Sequence, residues 1–160
     1  MATAPVSIIM GSRSDWPHMK EACIPLDELG VAYETNVVSA HRTPERMQQF
    51  AKEARDRGVK VIIAGAGGSA HLAGMVAANT SLPVVACPMP SRHFAGVDSL
   101  MSMVQMPRGI AVACQAVGGA GAYNGGLLAA QILALSDPEL AKRLDDWRQA
   151  QTDAVPWEVE

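Results

Sequence analysis

Ser39-Ala40-His41-Arg42 sets a proton-transfer group beside an anion clamp. An imidazole, with an ordinary pKa of about 6.5, can give a proton and take it back within one turnover. The neighbouring guanidinium offers a planar fork suited to phosphate. A histidine and an arginine side by side are more often a surface pair than a site, so the assignment depends on what else converges there. Gly11-Ser12-Arg13-Ser14-Asp15 is a second polar segment. Its glycine permits a tight turn, and hydroxyls with free helix N–H groups can hold a phosphate. Asp15 can accept hydrogen bonds from ribose hydroxyls, although Ser14 or Asp15 would serve equally as a helix cap.

A third segment, Gly65-Ala66-Gly67-Gly68-Ser69-Ala70-His71, brings backbone close to a small planar ligand, with Ser69 and His71 at its edge. It is not a dinucleotide fingerprint: it follows the third strand, ends in alanine, and lacks an acidic residue about 20 positions on. On the residues alone, His71 reads slightly better as a structural histidine bonded to a carbonyl. His18 and His93 have no companion in sequence, and nothing matches HExxH, a P-loop, GxSxG or paired cysteines. No metal ligand set is expected. Cys23, Cys87 and Cys114 are odd in number, lack CxxC spacing, and read as buried thiols of a reducing compartment.

Apolar runs alternate with helical stretches, and this alternation must position the three segments. Strands are expected at 6–10, 32–38, 59–64, 83–86 and 110–113. Helices are expected at 16–29, with Pro25 kinking or breaking it, at 44–57, 70–79, 97–105, 123–135 and 138–152. Thr43 is the expected N-cap of the second helix, with Pro44 at its first position and Gly58 at its end. Gly118 to Gly126 reads as close helix packing, within the chain or between subunits. Such alternation implies parallel pairing, and hence a three-layer α/β/α sandwich with a five-stranded sheet in flavodoxin-like order and a C-terminal helix. Ligands in such sheets bind beyond the carboxyl ends of the strands. The first three strand-end loops are the three polar segments, and that shared edge turns the preference toward a site.

Bulk composition agrees with a single domain over 1–160. Hydrophobic residues make up 49% and charged residues 18%, which excludes a disordered chain. Aromatic residues are only 4%, so the core must be built from Ala, Val, Ile, Leu and Met. A net charge of −3 without a basic block argues against nucleic acid as a partner. Met1 to Pro5 lacks the form of a signal peptide, and no apolar run approaches the roughly 20 residues of a membrane span. A cytoplasmic protein is expected.

The chain closely resembles the PurE family of purine biosynthesis, class I, the N5-carboxyaminoimidazole ribonucleotide mutases. The resemblance rests on Met-Gly-Ser-x-Ser-Asp-Trp at 10–16, Val-Ser-Ala-His-Arg-Thr-Pro at 38–44 and Ile-Ile-Ala-Gly-Ala-Gly-Gly at 62–68. Gly-Val-Asp-Ser-Leu at 96–100, Val-Gln-Met-Pro-Arg-Gly at 104–109 and Leu-Leu-Ala-Ala-Gln-Ile-Leu at 127–133 extend it along the chain. It implies a homo-octamer with shared active sites, the C-terminal helix packing on a neighbouring subunit, and a reaction without metal, biotin or nucleotide cofactor. That reaction moves a carboxyl group from N5 to C4 of a ribonucleotide, with carbon dioxide as intermediate. By motif match, His41 is the acid–base residue, Ser12 and Arg42 hold the phosphate, and Asp15 holds the ribose. Ser14 and Ser39 lie in the same binding loops, and Gly67, Gly68 and His71 line the base and carbon dioxide pocket. Related direct carboxylases usually carry Lys after the histidine, so Arg42 favours the mutase. The chain departs from the family pattern at Ala73, at 85–94, where Pro90-Ser91-Arg92-His93-Phe94 is bulkier and more basic, and at 111–123.

Overall fold

The computed structural model describes residues 4–159. Of the start of the chain read above as too short for a leader, Met1–Thr3 lie outside them. Five parallel strands form one sheet in the order β2-β1-β3-β4-β5. They are β1 Val6–Met10, β2 Tyr33–Val37, β3 Val61–Ala66, β4 Val84–Pro88 and β5 Ala113–Cys114. The flavodoxin-like α/β/α sandwich expected from the alternation is what forms. Every residue of β1, β3 and β4 is buried, because a parallel sheet is covered on both faces.

Alternation within the strands divides the core in two. Ile8, Ile63, Val85 and Cys87 face a layer holding Met19, Leu26, Ala122 and Ala129. Ile9, Ile62, Ala64 and Val84 face the opposite layer, holding Met47, Ala51, Ala73 and Met103. The first layer comprises α1 Trp16–Met19, α2 Cys23–Glu28, α6 Gly119–Ala134 and α7 Pro138–Asp153. The second comprises α3 Pro44–Glu53, α4 Leu72–Ala77 and α5 Val97–Val104.

Several boundaries differ from the expected ones, each for a physical reason. The helix expected at 16–29 is split by a 3-10 turn at Lys20–Ala22. Pro25 lacks an N–H and its ring crowds the carbonyl four residues back, so the break falls just before it. Strand β3 runs on through Gly65 and Ala66, which were expected in the turn. A side chain on Gly65 would sit 2.2 Å from Met19 Sδ, so the strand can continue there only over a glycine. The strand expected at 110–113 shrinks to Ala113–Cys114, an edge pairing only with Val85 and Ala86. Helix α6 begins at Gly119 rather than Tyr123. Its glycines pack within the chain: a Cβ on Gly121 would meet Ala116 O at 1.7 Å, and one on Gly126 would meet Ala22 O at 2.2 Å. Helix α7 docks on its own chain through buried Leu140 and Leu144, and Arg143 Nε donates to Leu29 O.

Candidate active site

Strand register brings the polar segments together. Met10 lies opposite both Val37 and Gly65, so the loops after β1, β2 and β3 leave the sheet side by side. Successive strands lie on opposite sides of β1 at this point, the switch point where open α/β sheets bind ligands. A cleft of about 610 Å³ opens there. It is lined by Ser12, Ser14 and Asp15 from the first loop, and by Ser39, His41 and Arg42 from the second. The third loop supplies Gly67, Gly68 and His71. Every candidate site residue named from the sequence therefore reaches one cavity.

Each loop is held by its own hydrogen bonds. Ser12 Oγ accepts from Ser14 N and Ser14 Oγ, while Asp15 Oδ2 accepts from Ser12 N at 3.1 Å. Ser12 and Asp15 thus form a capping box, and the capping role and the cleft-lining position belong to the same residues. Burial pushes the Asp15 carboxyl above the usual carboxylate range, partly opposed by Ser12 N–H and by His18 and Arg42.

Thr43 occupies the N-cap of α3, but its hydroxyl is turned to the loop. Thr43 Oγ1 donates to Ser39 O at 2.9 Å and accepts from Ser39 N at 3.1 Å. This closes the turn that carries His41 and Arg42 at its apex. Arg42 Nη2 donates to Gly11 O at 2.9 Å and Nε to Ser39 Oγ at 3.3 Å. The guanidinium is thereby tied across the first two loops, with its remaining N–H groups free for an anion.

In the third loop, Gly68 takes a left-handed conformation, φ 70°. Its N–H donates to Ser99 Oγ at 2.9 Å, and Ser99 Oγ donates to Met89 O at 2.7 Å. Ser99 is completely buried, so a hydroxyl inside the core locks the glycine loop to the end of β4. Among the described residues the His71 side chain bonds to no carbonyl; the structural role preferred from sequence is replaced by a different contact. His41 Nε2 and His71 Nδ1 lie 3.0 Å apart, and the rings meet edge to face at 88°.

The loop after β4, where the chain departs from the family pattern, supplies a fourth wall of the cleft. Ser91, Arg92, His93 and Phe94 line the cleft, as does Asp98 at the start of α5. Its signal in the sequence was positional: it too leaves the carboxyl edge of the sheet. Ser91 Oγ donates to Asp98 Oδ1 and accepts from Gly96 N, which holds the loop in place. Arg92, His93 and Phe94 remain exposed at the rim. Among the described residues, no group of three or more His, Cys, Asp or Glu side chains could hold a metal ion. None of the helices is long and apolar enough to cross a membrane.

A histidine for protons, a tethered arginine for an anion and hydroxyls with a carboxylate for a sugar fit a small phosphorylated ligand on which a proton is moved. Comparison with known proteins points the same way. N5-carboxyaminoimidazole ribonucleotide mutase of Vibrio cholerae is 59% identical over 94% of this chain and 93% of its own. The enzyme of that name from Bacillus subtilis is 60% identical over 90% and 89%, and that of Escherichia coli K12 57% over 95% and 90%. The crystal structure of Treponema denticola PurE superposes with a TM-score of 0.82 at 35% identity, covering 92% of this chain and 91% of that one. The AIR carboxylase family model matches residues 5–154, and the chain belongs to that family.

Proposed function

We propose that this chain is an N5-carboxyaminoimidazole ribonucleotide mutase of purine biosynthesis, with His41 as its acid–base residue. The observation that carries the reading is the meeting of His41 and Arg42 with the Ser12–Asp15 and Gly67–His71 loops in one cleft. Near-full-length relatives of that name at 57–60% identity support it.

The chemistry follows from the groups present. His41 protonates the carbamate nitrogen; the N–CO2 bond breaks, its electron pair passes to nitrogen, and carbon dioxide is released into the cleft. The electron-rich C4 of the aminoimidazole then attacks that carbon dioxide. His41 removes the C4 proton, restoring the aromatic ring and its own starting state. One proton is lent and recovered, so a single histidine suffices. Arg42 and Ser12 hold the phosphate, Asp15 accepts from the ribose, and Ser14 and Ser39 complete these loops. Gly67, Gly68 and His71 line the base and carbon dioxide pocket.

We further propose a cytoplasmic homo-octamer in which neighbouring subunits complete the sites, α7 packing on one of them, with no nucleic acid partner. The open rim at Arg92, His93 and Phe94 supports a site that another surface covers. The test supplies purified protein with the carbamate ribonucleotide or with aminoimidazole ribonucleotide, each with and without excess bicarbonate. A mutase converts the first without added bicarbonate. Conversion of only the second, and only with bicarbonate, would make the protein a direct carboxylase instead.

A further inference from the structure

We propose that His71 is a positioning residue that anchors Nε2 of His41, leaving Nδ1 as the nitrogen that exchanges the catalytic proton. The proposal rests on His41 being the acid–base group. Its basis is the 3.0 Å separation of His41 Nε2 and His71 Nδ1. At that distance one nitrogen donates and the other accepts; two N–H groups could not face each other. The pair therefore holds one proton between the rings and carries at most a single positive charge.

One arrangement serves both halves of the reaction. His41 Nε2–H donates to a bare His71 Nδ1 throughout, and His71 carries its own proton on Nε2. His41 Nδ1 is then protonated before the carbamate breaks and bare afterwards, ready to take the C4 proton. The N–H···N bond persists in both states, so the ring need not turn between giving and taking. His41 Nδ1 has no hydrogen-bond partner among the described residues, which leaves it available.

Other charged groups around the cleft do not take this role. Asp15, from the loop after β1, accepts from Ser12 N. Asp98, at the start of α5, accepts from Ser91. Arg42 is tied to Gly11 O and Ser39 Oγ, while Arg92 and His93 project from the loop after β4. None of them bonds to the His41 ring, so a second imidazole stands where a carboxylate often orients a catalytic histidine.

Imidazole 15N NMR across a pH series, on native protein and on His71→Phe and His71→Asn, tests this. Native protein is expected to show neutral His41 as the Nε2–H tautomer. His71→Phe, which removes the acceptor, is expected to mix the tautomers, shift the kcat–pH profile and lower kcat about tenfold with KM within about twofold. His71→Asn keeps an acceptor oxygen and is expected to restore the tautomer and most of kcat. Both positions are exposed, and His71→Ala serves as the deletion if the phenylalanine variant does not fold. An Nδ1–H tautomer in native protein, or a His41 tautomer unchanged by losing His71, would overturn the proposal. Turnover by His41→Asn would instead remove the acid–base reading, and the NMR result would still decide the pair.

Discussion

His41 and Arg42 sit side by side in the chain but have separate mechanical fixings, one to His71 and the other to Gly11 and Ser39. Removing the proposed proton donor should therefore leave the proposed anion clamp in place. His41→Asn is expected to fold normally and bind ribonucleotide with little change, yet lose about 10²–10⁴-fold in kcat. Single-turnover assays beside ligand titration separate the two effects. Asp15 gives a pH signature. Its folded pKa is raised, so the folded state binds more protons than the unfolded one between the ordinary value and the raised one, and its ionised form costs stability above that window. Asp15→Asn keeps an acceptor for Ser12 N and is expected to raise Tm at neutral pH. That advantage should shrink as pH falls through the raised value and vanish below the ordinary value of 3.8, read by melts across the series. Cys87 is completely buried, with its thiol pushed up to about 12 by desolvation. It should resist alkylation in the native state until the chain unfolds, as mass spectrometry of labelled protein would show.

At the scale of elements, strand ends and helix starts do the positioning. The Gly68 loop depends on a left-handed residue and on one hydroxyl of α5. Gly68→Ala is expected to cost about 1–2 kcal/mol from backbone strain alone. Ser99→Ala, by stripping Gly68 N–H of its partner, is expected to cost about 1–3 kcal/mol. Denaturant melts check both, and both should loosen ligand binding because Gly68 lines the cleft. The strand–helix alternation and the N-cap at Thr43 were legible because they are local: apolar period, Pro44 and Gly58 announce themselves in any chain. Gly65 was not. Its membership of β3 is set by Met19, a residue 46 positions earlier, and no local rule weighs that contact. The collapse of β5 to two residues is likewise a matter of having one neighbouring strand rather than two.

For the whole molecule, α5 presents Val97, Met101 and Val104 to solvent at helical spacing, next to exposed Phe94 at the cleft rim. Such a stripe favours burial against another surface. The proposed octamer predicts a particle eight times the 16.9 kDa chain mass by light scattering. It also predicts that Met101→Glu dissociates the particle and lowers activity together with mass. A monomeric native particle with full turnover would contradict the assembly. The first three walls of the cleft were legible in advance because each had a polar signature on a strand-end loop. The fourth, at 91–94, has mixed chemistry, and His93 looked isolated. In the sequence it stands out only as a departure from the family pattern, and the fold sets it in the same cleft as His41.

The sequence by itself determined the fold class and marked the three loops that line the cleft, including the residues proposed to transfer the proton and hold the anion. Periodicity, turn chemistry and motif are all written within a few neighbouring positions. Tertiary structure alone decided that His71 meets His41, that Ser99 fastens the glycine loop, and that α6 closes on Ala22 and Ala116. Those contacts join residues 5 to 104 positions apart, and most join elements that touch only once the sheet has set their distance. Arg42, the neighbour of His41 in the chain, is plain in the sequence; His71, its neighbour in space, is brought there only by the fold.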